Sequence, residues 1–517
     1  MKPLLAMTFV ALLLASGALA QDQQHDNMPS MKMPKTSPQQ NQPAAQPSKQ
    51  AMPEHEQGIE MEMHSPQDIT SNVVGVQEPE NPSQTTGSNL PVPDLLQAAK
   101  DLPAKALEDF ETLAIKNNPT LKQAQAIVRM SAGLARQAGL WPNPSVGYQG
   151  EEIRGGSFHG GEQGAFVQQN IVLGGKLGLR RNVFEQQRKA DEVGVEEQQL
   201  NVRGAVRMQF YSALAQLRIV EVQRKLLDIA TDAAVTAHEL ANVGQADAPD
   251  VLQAEVEAEQ AKLGFARAQR DYIRSYEQLT AIVGDPHLPL ALLHGDLENP
   301  PAIDPDRYLE DLVANSPTLK RAQQEASRAE AELVRDKHEA IPDLTLRAGA
   351  EQNREINELS GRPVGAQGFA SASVQIPIFN RNQGRVEASE AEVDRQREEI
   401  QRIKLQLLEA GEGLLQQYLV GKLEAERYKT QLIPRAQRAY ELYLQKYRNM
   451  AAAYPEVIVS QRTLFQLENA YARSLGELWT TAVQLQAYLL VDGLNVQPPG
   501  AGSTTLVNPP GGSGETQ

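Results

Sequence analysis

Ligands suited to a soft metal ion gather in one stretch of this chain. Met28, Met31, Met33, Met52, Met61 and Met63 are six of its eleven methionines, and His25, His55 and His64 stand among them. Thioether sulfur favours soft monovalent ions, so a flexible chain that lets three such groups converge suits Cu(I) or Ag(I). The candidate ligands are Met28, Met31, Met33, Met52, His55, Met61, Met63 and His64. Glu54, Glu56, Glu60 and Glu62 add negative charge around them. The same stretch also reads as an inert linker that happens to be rich in methionine. Chemistry of other kinds finds no footing. The sequence has no P-loop, no H-E-x-x-H, no G-x-S-x-G and no dinucleotide fingerprint. His338-Glu339 lacks the second histidine of a zinc protease, and Gly155-Gly156-Ser157 reads as a turn. Cysteine is absent, which excludes disulfides, thiolate metal sites, thiol nucleophiles and anchoring through a lipidated cysteine. Neither an enzyme activity nor a cofactor is expected.

The metal-ligand stretch belongs to a segment unlike the rest of the 517 residues. Residues 21–100 hold no Phe, Tyr or Trp but 11 Pro and 13 Gln, and four lysines face ten acids. Such a segment buries too little apolar surface to offset ordering entropy and reads as disordered. Before it, Lys2, the apolar run Leu4–Ala15 and Ala18-Leu19-Ala20 form a secretory signal over residues 1–20. Residues 496–517, rich in Pro, Gly and Ser, read as a second disordered tail. The net charge of −16 argues against nucleic acid, whose phosphates need a basic footprint. Outside the signal no apolar run reaches 18 residues, so membrane insertion would require a β-barrel.

The folded part, residues 101–495, is written twice, as 101–300 and 301–495. Asn118-Pro119-Thr120-Leu121-Lys122 recurs as Ser316-Pro317-Thr318-Leu319-Lys320, and Pro249-Asp250-Val251 as Pro455-Glu456-Val457. Val251, Ala258, Phe265, Tyr272 and Leu279 are spaced by seven, as are Val457, Leu464, Tyr471, Leu478 and Leu485. Sustained sevens predict helices packed in coiled-coil fashion. Each half reads as helix, strand, strand, long helix, shorter helix. The helices are placed at about 104–139 (broken near Asn118), 177–242 and 250–283, then at 305–339, 384–449 and 456–491. A helix of ~65 residues spans ~95 Å, more than a compact domain can bury.

Four segments alternate with period two. Leu344, Leu346, Ala348 and Ala350 interleave with polar residues and glycine, as do Ala370, Ala372, Val374, Ile376 and Ile378. Weaker versions lie at Ser145–Glu151 and Ala165–Leu173, with polar loops at 152–164 and 352–367 between the partners. Ten residues is the length of a tilted membrane-spanning strand. Four strands cannot close a barrel in lipid, but three copies would supply twelve. A soluble sheet remains the other reading of the alternation.

Over nearly all of 101–495 the sequence resembles the TolC family of outer-membrane efflux proteins. The resemblance is carried by the repeated Asn/Ser-Pro-Thr-Leu helix start, by the run Gln169 to Lys176, by the run Ser373 to Gly384, and by the segments around Asn242–Leu252 and Tyr447–Val457. Leu173-Gly174-Gly175-Lys176 and Phe379-Asn380-Arg381-Asn382-Gln383-Gly384 resemble the heavy-metal branch, which exports copper and silver or cobalt, zinc and cadmium. The resemblance implies a mainly α fold with a small β part, assembled as a homotrimer. A twelve-stranded barrel would cross the outer membrane and continue as an α-helical tunnel in the periplasm. It would dock a periplasmic adaptor and an inner-membrane pump of the resistance–nodulation–division type.

The family closes its tunnel at the periplasmic helix tips, and the resemblance places Asp250, Glu456, Tyr447 and Arg448 there. Three copies of either acid would form a carboxylate ring that attracts cations. Both also read as first-turn acids favoured by the helix dipole. Tyr447 matches a tip tyrosine; Ala452 stands where the family's arginine is expected, leaving Arg448 as the candidate partner for Asp250. The expected function is an outer-membrane duct for heavy-metal ions, with Cu(I) or Ag(I) favoured by the methionines. The alternatives are the same duct for Zn, Co, Cd or organic compounds, a soluble periplasmic coiled-coil adaptor, or a copper-binding periplasmic protein.

Overall fold

The computed structural model describes residues 104–155, 158–159, 161–244, 246–357, 361–449 and 454–495. The export signal, the methionine and histidine ligands, Ala452 and the C-terminal tail lie outside the described residues.

The first half opens with α1 (Leu107–Asn117) and α2 (Pro119–Ala138). Asn118 both ends α1 and caps α2. Its Oδ1 accepts from the Thr120 N–H at 2.9 Å, and Pro119 occupies the first helical position, where its missing N–H costs nothing. The chain then forms β1 (Ser145–Glu151) and β2 (Glu162–Ile171). Next come the 67-residue α3 (Lys176–Asn242) and α4 (Ala248–Val283). At 1.5 Å per residue α3 is ~100 Å long. The second half repeats the plan with α5 (Pro305–Asn315), α6 (Pro317–His338), β3 (Leu344–Asn357) and β4 (Arg362–Val374). It continues with α7 (Gln383–Arg427), α8 (Ile433–Arg448) and α9 (Tyr454–Gln486).

The expected single helix over 384–449 is interrupted. A five-residue π-turn, Tyr428–Leu432, separates α7 from α8, and the Ile433 N–H donates to the Tyr428 carbonyl. Pro434 explains it. Proline brings no N–H, and its ring collides with the carbonyl four residues back. Widening the preceding turn by one residue relieves that collision without ending the helix. The strands also run further than the apolar alternation indicated. β3 and β4 extend to Asn357 and from Arg362, through what read as a polar loop, and β4 stops at Val374 before Pro377. A ladder needs backbone donors and acceptors, not apolar side chains, so it continues through glycine and polar residues. Between β1 and β2, Arg154–Gly155 and Phe158–His159 add a short ribbon. α9 ends at Gln486, ahead of positive φ at Tyr488 and Leu489.

The main core lies where α1, α4, α9 and the middle of α3 meet. Val206, Phe210 and Leu217 of α3 pack with Phe265, Tyr272, Tyr276 and Leu279 of α4, and with Leu475, Leu478 and Leu485 of α9. Phe110 of α1 sits between Phe210 at 5.9 Å and Tyr276 at 6.1 Å, ring centre to ring centre. Fully burying one such side chain contributes about 1.5–3 kcal/mol. The connector 284–304 crosses this core and is fastened by ring donors. Tyr272, Tyr276, Tyr418 and Trp479 donate to the carbonyls of Ala291, Pro289, Pro301 and Leu297 at 2.7–2.9 Å. At the junction with the strands, Lys176 is 3% exposed and bonds Asp343 at 2.6 Å and the Ile341 carbonyl at 2.8 Å.

Candidate functional site: a two-faced sheet and two helix tips

The four strands form one antiparallel sheet in the order β1-β2-β3-β4. Its central pairing, β2 with β3, joins the two halves of the repeat, from Ile171↔Leu344 to Glu162↔Asn353. β1 and β4 are left as edges among the described residues. One face carries Val146, Tyr148, Ala165, Val167, Leu346, Ala348, Ala350, Ala370, Ala372 and Val374. Val146 is 76% exposed, Tyr148 66% and Val167 51%, so this apolar face has no cover among the described residues. The opposite face carries Gln149, Gln168, Arg347, Glu351, Ser371 and Gln367. An apolar face beside two open edges is a hazard in water and an impossibility in lipid, unless the edges are joined.

At the far end of the long helices, α3 turns into α4 through Gly244, whose φ of +75° a side chain would strain. Asp250 stands in the first turn of α4. In the second half, Tyr447 near the end of α8 meets Tyr454 at the start of α9, with ring centres 5.4 Å apart. Tyr454 packs on the small cluster of Ala237, Val251 and Ala254, so the second tip leans on the first. Burial pushes the Tyr447 hydroxyl up from the ordinary tyrosine range, and the Asp250 charge pushes it further. The same holds for Tyr454: burial first, then Tyr447, Tyr440 and Asp250. The charge of Asp250 thus reaches both tyrosine hydroxyls at the tips. Arg448 is exposed. Its charge acts on Tyr440, where it offsets part of the rise caused by burial, and among the described residues no ion pair joins it to Asp250. Glu456 is exposed in the first turn of α9.

Sequence reasoning missed Tyr454 and Tyr440. The signal was available, since they are aromatics within a few residues of a predicted tip in a chain with 5% aromatics. It also missed the fastening of the π-turn. Glu298, on the connector, accepts from Lys429 at 2.8 Å and from the Tyr471 hydroxyl at 2.7 Å. No short-range pattern announces a contact between residues more than 100 positions apart. Among the described residues, no three His, Asp or Glu side chains gather as a metal site, and no helix is long and apolar enough to cross a membrane.

A repeated fold with one two-faced sheet and two long helical hairpins defines a duct subunit rather than a compact binding or catalytic domain. The sequence model for outer membrane efflux proteins matches residues 112–285 and 308–489, once in each half, and the chain belongs to that family. The cobalt-zinc-cadmium resistance protein CzcC of Cupriavidus metallidurans is 26% identical over 385 residues, covering 74% of this chain and 89% of that protein. The nickel-cobalt-cadmium resistance protein NccC of Alcaligenes xylosoxydans xylosoxydans is 25% identical over 298 residues, covering 57% and 65%. Among solved structures, CusC superposes with a TM-score of 0.62 at 15% identity, covering 75% of this chain and 93% of that one. The outer-membrane channel OprN gives 0.61 at 16% identity, covering 76% and 91%. The protein is an outer-membrane efflux channel subunit with a periplasmic helical tunnel, a transport component without a catalytic step.

Proposed function

We propose that three copies of this chain join their sheets edge to edge into one twelve-stranded barrel and serve as the exit duct for divalent heavy-metal cations. The observation that carries the barrel is the four-stranded sheet with an uncovered apolar face and two open edges. The cargo reading, ions of the cobalt, zinc and cadmium class, is supported by the relatives CzcC and NccC. It replaces the copper or silver preference drawn from the methionines. The duct is passive, so it works with a periplasmic adaptor at the helix tips and an energised pump of the resistance–nodulation–division type in the inner membrane. Asp250, Tyr447 and Tyr454, with Glu456 and Arg448 alongside, hold the tunnel mouth, and the carboxylates favour cations there. Growth of a deletion strain on graded Co, Zn, Cd, Cu and Ag tests the cargo. Tolerance to the first three falls if the reading is right; loss confined to Cu and Ag, or to none, contradicts it.

A second reading is favoured by the six methionines and the histidines of residues 21–100. In it this segment binds Cu(I) or Ag(I) whatever the duct's main cargo. Full-length protein and a variant with all six methionines changed to leucine would be titrated with Cu(I), and equal affinity would end this reading.

A further inference from the structure

The polar face of the sheet carries one built feature that the tunnel tips do not share. In one row across all four strands the residues are Gly147, Phe166, Gly349 and Phe369. The two glycines make room for the two rings. A Cβ on Gly147 would stand 2.5 Å from Phe166 Cζ, and one on Gly349 2.6 Å from Phe369 Cζ. Both phenyl rings therefore lie down on the sheet instead of standing away from it. Arg347, one row nearer the helices, stretches over them. Its guanidinium carbon is 3.8 Å from the centre of Phe166 and 5.6 Å from that of Phe369. Its Nη2 donates to the Gln149 side chain. Its Nε is buried and has no hydrogen-bond partner among the described residues. The charge is thus held flat by two aromatic faces and one amide rather than by a carboxylate.

Acids occupy the same face nearer the hairpin ends. Glu351 is four residues beyond Arg347 on β3, about 13 Å at 3.3–3.4 Å per residue. Glu151 and Glu162 share a row with Asn353 further out. The guanidinium reaches Gln149, which stands in the Glu351 row, so the positive charge lies directly on the helix side of the acidic rows.

We propose that Arg347, laid on Phe166 beside Phe369, is the charge-selecting element of the barrel lumen. This rests on the three-copy barrel proposed above, in which the apolar face meets lipid and the polar face lines the lumen. Three copies then form a cationic, aromatic-backed collar on the periplasmic side of an acidic outer mouth. A fixed charge drives no flux. It raises the barrier to free cations in both directions, and export is driven by the pump while return is passive. The collar therefore resists the backflow of cations that the outer carboxylates concentrate, and small anions are the ions it admits most readily.

The test is the reversal potential of the full-length protein in planar bilayers under a KCl gradient. The background is Asp250→Asn with Glu456→Gln, so that the tip carboxylates do not set the selectivity. Arg347→Gln is expected to raise the potassium-to-chloride permeability ratio by about threefold or more, the order expected for losing a ring of charge. Arg347→Lys, which keeps the charge, leaves the ratio close to that of the parent. A ratio unmoved by Arg347→Gln, or moved equally by Arg347→Lys, overturns the collar. Detergent-resistant trimers and channel conductance report separately on the barrel: a parent protein that forms no trimeric pore overturns both readings, whereas a pore with an unmoved ratio overturns the collar alone.

Discussion

The two halves of this chain share one plan and differ in how firmly it is tied down. In the first half, Asn118 is fully buried and every polar atom of its side chain is engaged. It caps α2 through Thr120 and donates to the carbonyls of Ile282 at 2.8 Å and Gly493 at 3.3 Å. Its counterpart Ser316 is equally buried, but its hydroxyl has no partner among the described residues. In the first half α3 runs unbroken for 67 residues. In the second, the same span is divided into helices of 45 and 16 residues by the five-residue π-turn. Below that turn α8 buries only Ala436. Duplication of a fold thus does not duplicate how firmly it is packed. The first half is the frame, and the second carries the sparsely buried segment that ends at Arg448.

The largest expected effect would break this contrast at the starts of α2 and α6. Asn118→Ala removes a cap and leaves the Ile282 carbonyl and the Thr120 N–H without their partner, while the Gly493 carbonyl keeps the Thr120 hydroxyl, at a cost of about 2–3 kcal/mol. Ser316→Ala removes a hydroxyl with no partner among the described residues and changes stability by less than about 1 kcal/mol in either direction. Thermal melts followed by circular dichroism would show Asn118→Ala far below wild type and Ser316→Ala beside it. Equal losses would mean that the two helix starts do not differ in kind.

A middle-sized effect concerns the π-turn. Burial alone would raise the Glu298 carboxyl, but the hydrogen bonds and charge of Lys429 and the Tyr471 hydroxyl outweigh it and hold it below the ordinary value of 4.5. A depressed carboxylate contributes stability that is present above its unfolded value and is lost as pH falls through the folded one. The fastening of the turn should therefore weaken below pH 4.5, and more steeply further down. Hydrogen exchange at amides 428–433, corrected for intrinsic rates, is expected to speed up on going from pH 6 to pH 3.5, while amides of the matching stretch of α3 change less. Glu298→Gln should show the faster exchange already at pH 6 and lose the pH dependence. Side chains this exposed couple weakly, so the effect amounts to about 1 kcal/mol.

The smallest expected effect sharpens the comparison at the tips. Tyr454→Ala removes the ring that rests on Val251 and Ala254 of the first-half tip. It costs little global stability because few groups are buried there. Single-channel conductance should rise, and a conductance equal to wild type would remove Tyr454 from the closing contacts.

Much of this architecture could be read from residue order. The recurrence of Asn118-Pro119-Thr120 as Ser316-Pro317-Thr318 and the rows of sevens gave the repeat and the long helices, because burial on one face forces that period. Alternation placed β1 at its observed bounds but left β2, β3 and β4 short at their loop ends, because Gly and polar residues continue a ladder that apolar spacing cannot mark. Pro434 was visible inside a predicted helix. Its consequence was not, since a proline can end, kink or widen a helix and the choice depends on what packs around it. Asp250 and Tyr447 were singled out by the resemblance at the helix tips, whereas the Arg347 stack depends on strand register and was invisible. The methionines pointed to soft metals, whereas the two named relatives are resistance proteins for cobalt, zinc, nickel and cadmium.

In the proposed barrel β1 of one copy continues the sheet from β4 of the next, and three copies complete the ring. The chain has no cysteine, so engineered pairs report on this contact without background. Val146→Cys would be combined in turn with Ala370→Cys, Ala372→Cys and Val374→Cys, and the membrane-embedded protein oxidised and run on denaturing gels. At least one pair should give covalent dimers and trimers with nothing larger. Monomers from all three pairs, or a ladder continuing past the trimer, would contradict the closed three-copy barrel.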